Sequence, residues 1–241
     1  MPPPSQSKSV TIPMDGRQAV SGLFQAPANP RACCVLAHGA GAGMRHALLE
    51  AVSAGLVERG LAVLRYQFPY IEQGSKRPDP PRVAHATVRA AAIVATRLTP
   101  GLPLFAGGKS FGGRMTLQAQ ASDPLPGVRG LVFLGFPLHP AGRPSVDRAE
   151  HLIAIRIPIL FLQGTRDAFA QMDLLRPLVT RLGARATLAP VEEANHAFHV
   201  LARTGRTDAQ VRATLSRAIA DWAEAVLAGS LSGEQLARRL E

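Results

Sequence analysis

The sequence predicts an α/β fold of the doubly wound type, a mostly parallel sheet flanked by helices on both faces. Three observations predict it. Short apolar runs of strand length alternate with segments of helical spacing along most of the chain. The 241 residues, 46% of them hydrophobic, suffice for one such domain with a large core. One apolar run, 102–106, passes directly into Gly107-Gly108-Lys109-Ser110-Phe111-Gly112-Gly113, which places a glycine-flanked serine at a strand-to-helix junction.

Taken in order, the first elements are strands at 9–13 and 19–25 flanking Met14-Asp15-Gly16-Arg17, because Asp-Gly between β-prone runs signals a hairpin. They are expected to form an antiparallel edge. The residues before them, 1–8, carry three prolines and no apolar stretch of the kind a secretory signal needs, so they are expected to be disordered and the protein cytoplasmic. Strand 32–37 follows, then a helix over 45–59 and a strand over 61–66. Pro69, Pro78, Pro80 and Pro81 make 68–82 a loop before a helix over 83–98. The strand at 102–106 and the helix after Ser110 reach residue 121. Strand 130–135 leads into 136–156, where Pro137, Pro140 and Pro144 break regular structure and the length is too short for a cap domain. Strand 157–162, helix 172–182, strand 186–191 and helix 208–227 complete the alternation, with Gly229 as the last helix's stop. One domain, 9–229, and a short tail, 230–241, are expected.

Composition narrows the function classes. The net charge is +10 with a pI of 11.1, yet the arginines are dispersed, and only Lys76-Arg77 and Arg238-Arg239 are adjacent. Dispersed charge reads as a solvated basic surface, and nucleic acid is not expected as a partner. The apolar runs fall far short of the roughly 20 residues that span a bilayer, so no membrane partner is expected. Cys33 and Cys34 are adjacent on a strand and point to opposite faces, where a mutual disulfide would be strained. They read as small core residues in a reducing compartment.

The Gly108-Lys109-Ser110-Phe111-Gly112 stretch is a nucleophile elbow. The chain leaves a strand, turns sharply at Ser110 with φ > 0, and enters a helix, so flanking side chains would clash. The turn lifts the hydroxyl above the sheet and leaves the Phe111 N–H free at a helix N-terminus, where negative charge is favoured. A second oxyanion donor is expected at Ala40, in the loop His38-Gly39-Ala40-Gly41-Ala42-Gly43. Asp167 follows a strand in Gln163-Gly164-Thr165-Arg166-Asp167, and His196 follows the last strand in Glu192-Glu193-Ala194-Asn195-His196. Both fall at the same sheet edge as Ser110. Asp147 competes for the role of the acid and His199 for that of the base. His38 is expected to brace its loop. Lys109 is expected to point sideways into solvent in preference to the substrate. Met44, Arg45, Phe68, Tyr70 and Phe169 lie on loops at this edge and are candidates for an acyl pocket, Arg45 for a substrate carboxylate. No H-E-x-x-H pair or ligand-spaced cysteines support a metal site, and His-Gly-Ala-Gly-Ala-Gly lacks the spacing of a nucleotide loop, so no cofactor is expected.

The segments HGAGAGM, RYQFPY, GGKSFGGRM, QGTRDAF and NHAF resemble the α/β-hydrolase superfamily, and the likeness runs from about residue 10 to about 228. More narrowly, they resemble the small uncapped members related to dienelactone hydrolases, a group that includes a hydrolase-like domain of chromatin-associated subunits. The order Ser110, Asp167, His196 is the nucleophile, acid, base order of that superfamily. The resemblance implies a serine hydrolase that cleaves small or medium carboxylic esters or thioesters through a Ser-His-Asp triad and an acyl-enzyme. Dienelactone hydrolases proper carry a cysteine nucleophile, so their lactone substrate is not carried over. The alternatives are a non-catalytic interaction protein on the same fold, and perhydrolase or peptidase chemistry on the same triad.

Overall fold

The structure, a computed structural model, describes residues 6–14 and 18–229. Strands β1 (Lys8–Pro13) and β2 (Ala19–Gln25) alternate buried and exposed positions, as expected of a sheet edge with one wet face. Strands β3 (Ala32–Ala37) and β4 (Leu61–Tyr66) are buried at every position, because helices cover both faces there. Helix α1 (Ala47–Glu58) joins them, and the short α2 (Pro69–Glu72) and long α3 (Pro81–Leu98) follow β4. Then come β5 (Leu104–Lys109), α4 (Phe111–Ser122) and β6 (Val128–Leu134). The chain continues through α5 (Glu150–Ala154), β7 (Ile159–Gly164), α6 (Met172–Leu182), β8 (Ala186–Val191) and α7 (Asp208–Leu227).

The sheet order is β1-β2-β4-β3-β5-β6-β7-β8, with β1 and β2 antiparallel to their neighbours and the other pairs parallel. Strand order reverses between β3 and β5. The loops leaving their carboxyl ends therefore diverge and open a crevice, the usual ligand position in such sheets. Apolar side chains divide by strand face. Cys33, Val35 and Ala37 join the core under α3, α4 and α6, while Cys34 and Leu36 join the core under α1 and α7. The two cysteines are free and lie on opposite faces, as strand alternation requires. No helix among the described residues is long and apolar enough to cross a membrane.

Several boundaries differ from the sequence expectation. Strand β5 runs to Lys109, not 106, because Gly107 and Gly108 stay in register with Leu36 and Ala37 of β3. Strand β7 starts at Ile159 rather than 157, since Pro158 contributes only its carbonyl, to Leu131 N at 2.9 Å. Helix α3 begins at Pro81, where a proline suits the first helical position. Two regions expected as loops contain α2 and α5, each too short to show helical periodicity. Helix α2 is pinned to the sheet edge by Glu72, whose carboxylate accepts a 2.6 Å hydrogen bond from Ser21 N. The expected Asp15-Gly16 turn, the residues 1–5 and the tail 230–241 lie outside the described residues.

Gly108 shows why the elbow needs glycine. Its φ is +151°, and a Cβ there would overlap the Ala37 carbonyl oxygen on β3. Gly108→Ala is expected to destabilise the protein by about 3 kcal/mol or more, since backbone strain and a clash with backbone act together. A urea denaturation midpoint unchanged from the wild type would contradict this.

Candidate active site

Ser110 sits between β5 and α4 with φ 49° and ψ −111°, in the left-handed half of the map that L-residues avoid. The surrounding chain enforces this strain. Ser110 N donates to Leu134 O at 3.2 Å, and Gly112 packs so closely under His38 O that a Cβ would lie 2.6 Å from it. The hydroxyl is thereby held at the crevice.

His196 lies in the loop after β8. Asn195 Oδ1 accepts from Ala197 N at 2.9 Å and His199 N at 3.1 Å, closing a tight turn, and Phe198 is anchored in the core with φ 60°. His196 Nε2 is 2.9 Å from Ser110 Oγ, and its Nδ1 is 2.7 Å from Asp167 Oδ2. Asp167 is 3% exposed and saturated with donors: Oδ2 also accepts from Gln163 Nε2 at 2.6 Å, and Oδ1 from Phe169 N at 2.8 Å. An ionised carboxylate only accepts, so His196 carries its proton on Nδ1 and leaves the Nε2 lone pair toward Ser110. Gln163 in turn accepts from Phe136 N at 2.8 Å, which ties the ends of β6 and β7 together. The two competitors lie elsewhere. His199 pairs with Asp208 at 3.0 Å on the surface, and Asp147 begins a 3-10 turn over Asp147–Ala149.

The backbone amides of Phe111 and Ala40, two residues that line one cavity with Ser110, have no acceptor among the described residues. The Ala40 loop is braced from below. His38 Nδ1 donates to Gly39 O at 2.8 Å while Nε2 accepts from Phe68 N at 3.1 Å, and burial holds its pKa below the ordinary histidine value, in keeping with a neutral ring. Gln67 and Arg65 fix Met44 through its N–H, at 2.8 Å, and its carbonyl, at 2.9 Å. Burial raises the pKa of the Tyr70 hydroxyl, and the Gly41 backbone nearby opposes the shift.

A cavity of about 320 Å³ opens beside Ser110, lined by Ala40, Phe111, Phe169, Met115, Pro78, Asp79, Pro81, Pro137, Arg114 and Arg148. Of the pocket candidates read from the sequence, only Phe169 lines it. Phe68 is buried between the rings of Tyr66 and Phe111, with centroids at 5.5 and 5.2 Å. Met44 and Tyr70 are loop braces, and Arg45 is exposed outside the cavity. The sequence reading missed Arg114 and Arg148. Arg114 had a signal, since it lies one helical turn after Ser110 and shares its face. Burial first, then the charge of Arg148, lowers the Arg114 pKa, and neither arginine has a carboxylate within salt-bridge distance among the described residues.

Lys109 also departs from expectation. Its side chain is buried, and Nζ lies 3.0 Å from His196 Nε2 instead of in solvent. Two glycines make the channel: a Cβ on Gly39 would meet Lys109 Cγ at 3.4 Å, and one on Gly135 would meet Nζ at 3.0 Å.

An eight-stranded, mostly parallel sheet with a serine on a strained strand-to-helix turn defines the class of α/β hydrolases. The chain belongs to the α/β hydrolase domain family, whose model matches residues 30–224. It is similar in structure to a serine hydrolase without a lid from Xanthomonas campestris, at 21% identity and a TM-score of 0.70, covering 91% of this chain and 96% of that one. It is also similar to a dienelactone hydrolase from Anabaena variabilis, at 19% identity and TM-score 0.71, covering 95% and 100%. An esterase domain from Rhodothermus marinus matches at 18% identity and TM-score 0.69, covering 90% and 98%.

Proposed function

We propose that the protein is a serine hydrolase that cleaves small or medium carboxylic esters or thioesters by acyl transfer. His196 Nε2 takes the Ser110 proton as Oγ attacks the carbonyl carbon. The amides of Phe111 and Ala40 receive the oxyanion, and His196 returns the proton to the leaving group. Water then repeats the sequence on the acyl-enzyme. Asp167 orients the ring and stabilises the imidazolium without taking its proton. The observation that carries the reading is the unbroken line Asp167-His196-Ser110, with contacts of 2.7 and 2.9 Å, at a cavity that Ala40 and Phe111 also line. A cavity of about 320 Å³ stands at the small end of ligand sites and favours compact acyl groups.

The test is turnover of a panel of short-chain and medium-chain esters and thioesters. Hydrolysis with an initial burst is expected for short acyl chains. No turnover above the uncatalysed rate for any member would overturn the reading.

The guanidiniums of Arg114 and Arg148, which line the cavity without a carboxylate partner among the described residues, favour substrates with an anionic group on the acyl or leaving portion. Arg114→Gln is expected to lower kcat/KM for a half-ester of a dicarboxylic acid by about tenfold, one charge-assisted contact of about 1.4 kcal/mol. Neutral esters of equal length should change by less than about twofold. Equal losses on both would contradict a role in charge recognition.

A further inference from the structure

Two donors converge on one histidine nitrogen. His196 Nε2 lies 2.9 Å from Ser110 Oγ and 3.0 Å from Lys109 Nζ. With the ring proton on Nδ1 toward Asp167, the neutral imidazole has a single lone pair, and it is on Nε2. A base needs that lone pair for the serine hydroxyl. An ammonium beside it competes with an advantage, because a charge-assisted hydrogen bond is roughly twice as strong as a neutral one. The ammonium also opposes the next step, since an imidazolium formed 3.0 Å from it would place two like charges in contact.

The lysine has little freedom to withdraw. Its stem fills the slot between Gly39 and Gly135, and Nζ stands 5.9 Å from the centre of the Phe198 ring. Among the described residues, the titratable groups facing Nζ are His196, from the loop after β8, and Asp167, from the end of β7. The loops after β3 and β6 bring Gly39 beside the lysine stem and Gly135 beside Nζ.

We propose, building on the acyl-transfer reading, that Lys109 is a positioning residue that gates the triad: its ammonium occupies the Nε2 lone pair of His196, and loss of one Nζ proton frees that lone pair for Ser110. The step is a simple proton transfer in which hydroxide takes one ammonium proton to give water and a neutral amine, and no other bond changes. The amine both donates and accepts. The Nε2–H formed during serine attack then meets an acceptor in place of a repelling charge.

The sign of the pH dependence follows. Burial lowers the Lys109 pKa to about 8, with Asp167 opposing the shift. Below that pH the lysine is charged and the triad closed, and above it the triad opens. Without the lysine charge the triad would open at lower pH.

The test is the pH dependence of Ser110 modification by a fluorophosphonate, read as intact mass from about pH 5.5 to about 9.5, since this needs no known substrate. For the wild type, the rate should rise to a plateau with its midpoint near pH 8. Lys109→Met fills the slot without charge and should move the midpoint down by at least about one unit, raising the rate at pH 6.5 roughly tenfold. Lys109→Arg keeps its charge across the range and should react slowly throughout. A lysine that only supports the fold would change the rate equally at all pH values, and an unmoved midpoint in Lys109→Met would overturn the gate. A wild-type midpoint well below 8 would overturn it without any variant. No adduct at any pH would overturn the hydrolase reading itself, and the gate with it.

Discussion

If the proposed acyl transfer operates, Ser110→Ala is expected to lower kcat by on the order of 10⁴ or more on the best substrate, because three groups acting as a unit lose the covalent route with the hydroxyl. The residual rate comes from the two amides and from binding, and KM should change little where substrate dissociation outpaces chemistry. The fold should be unaffected. Ser110 Oγ makes its hydrogen bond to His196 and caps no helix, so alanine removes no structural contact, and the strained φ of 49° is the same for both residues. Equal melting temperatures with this loss of turnover separate a catalytic hydroxyl from a structural one. A fall of less than about tenfold would show that another group performs the attack.

Asp167→Ala should carry the second-largest effect, and it should appear in two readouts. Turnover falls by roughly 10⁴, since His196 loses the acceptor that fixes its tautomer and stabilises its positive form. Stability falls as well, by about 1–3 kcal/mol for each donor left buried without an acceptor. Those donors are Gln163 Nε2 and Phe169 N, which both end on the carboxylate. Ser110→Ala and Asp167→Ala therefore differ: one loses activity alone, the other activity and denaturation midpoint together. Activity measurements with urea titrations of both variants check this. An Asp167→Ala protein with wild-type turnover would remove Asp167 from the proposed mechanism.

The alternation of elements was legible because strands buried on both faces are largely apolar, and β3, β4 and β7 stand out as such runs. The ends of β5 and β7 were not, since glycines and a proline continue or delay a ladder for reasons that lie in neighbouring strands. Short helices such as α2 and α5 lack enough turns to show a period. In the site, Ser110, Asp167 and His196 were readable because each follows a strand at its carboxyl end, and the sheet order brings those ends together. The pocket was less so. Loop position suggested Phe68 and Tyr70, but their rings pack inward against Phe111 and His38. Arg148 arrives from an irregular segment with no sequence periodicity to place it. Lys109 was misread because a charged residue normally seeks solvent, and only the missing side chains of Gly39 and Gly135 give it a path to His196.

The proposed mechanism requires Ser110 to be an activated nucleophile. Intact-mass analysis of wild type and Ser110→Ala after treatment with a fluorophosphonate at about pH 9, above the midpoint set by Lys109, tests it most directly. One adduct is expected on the wild type and none on Ser110→Ala. An unmodified wild type, or equal modification of both proteins, would contradict it.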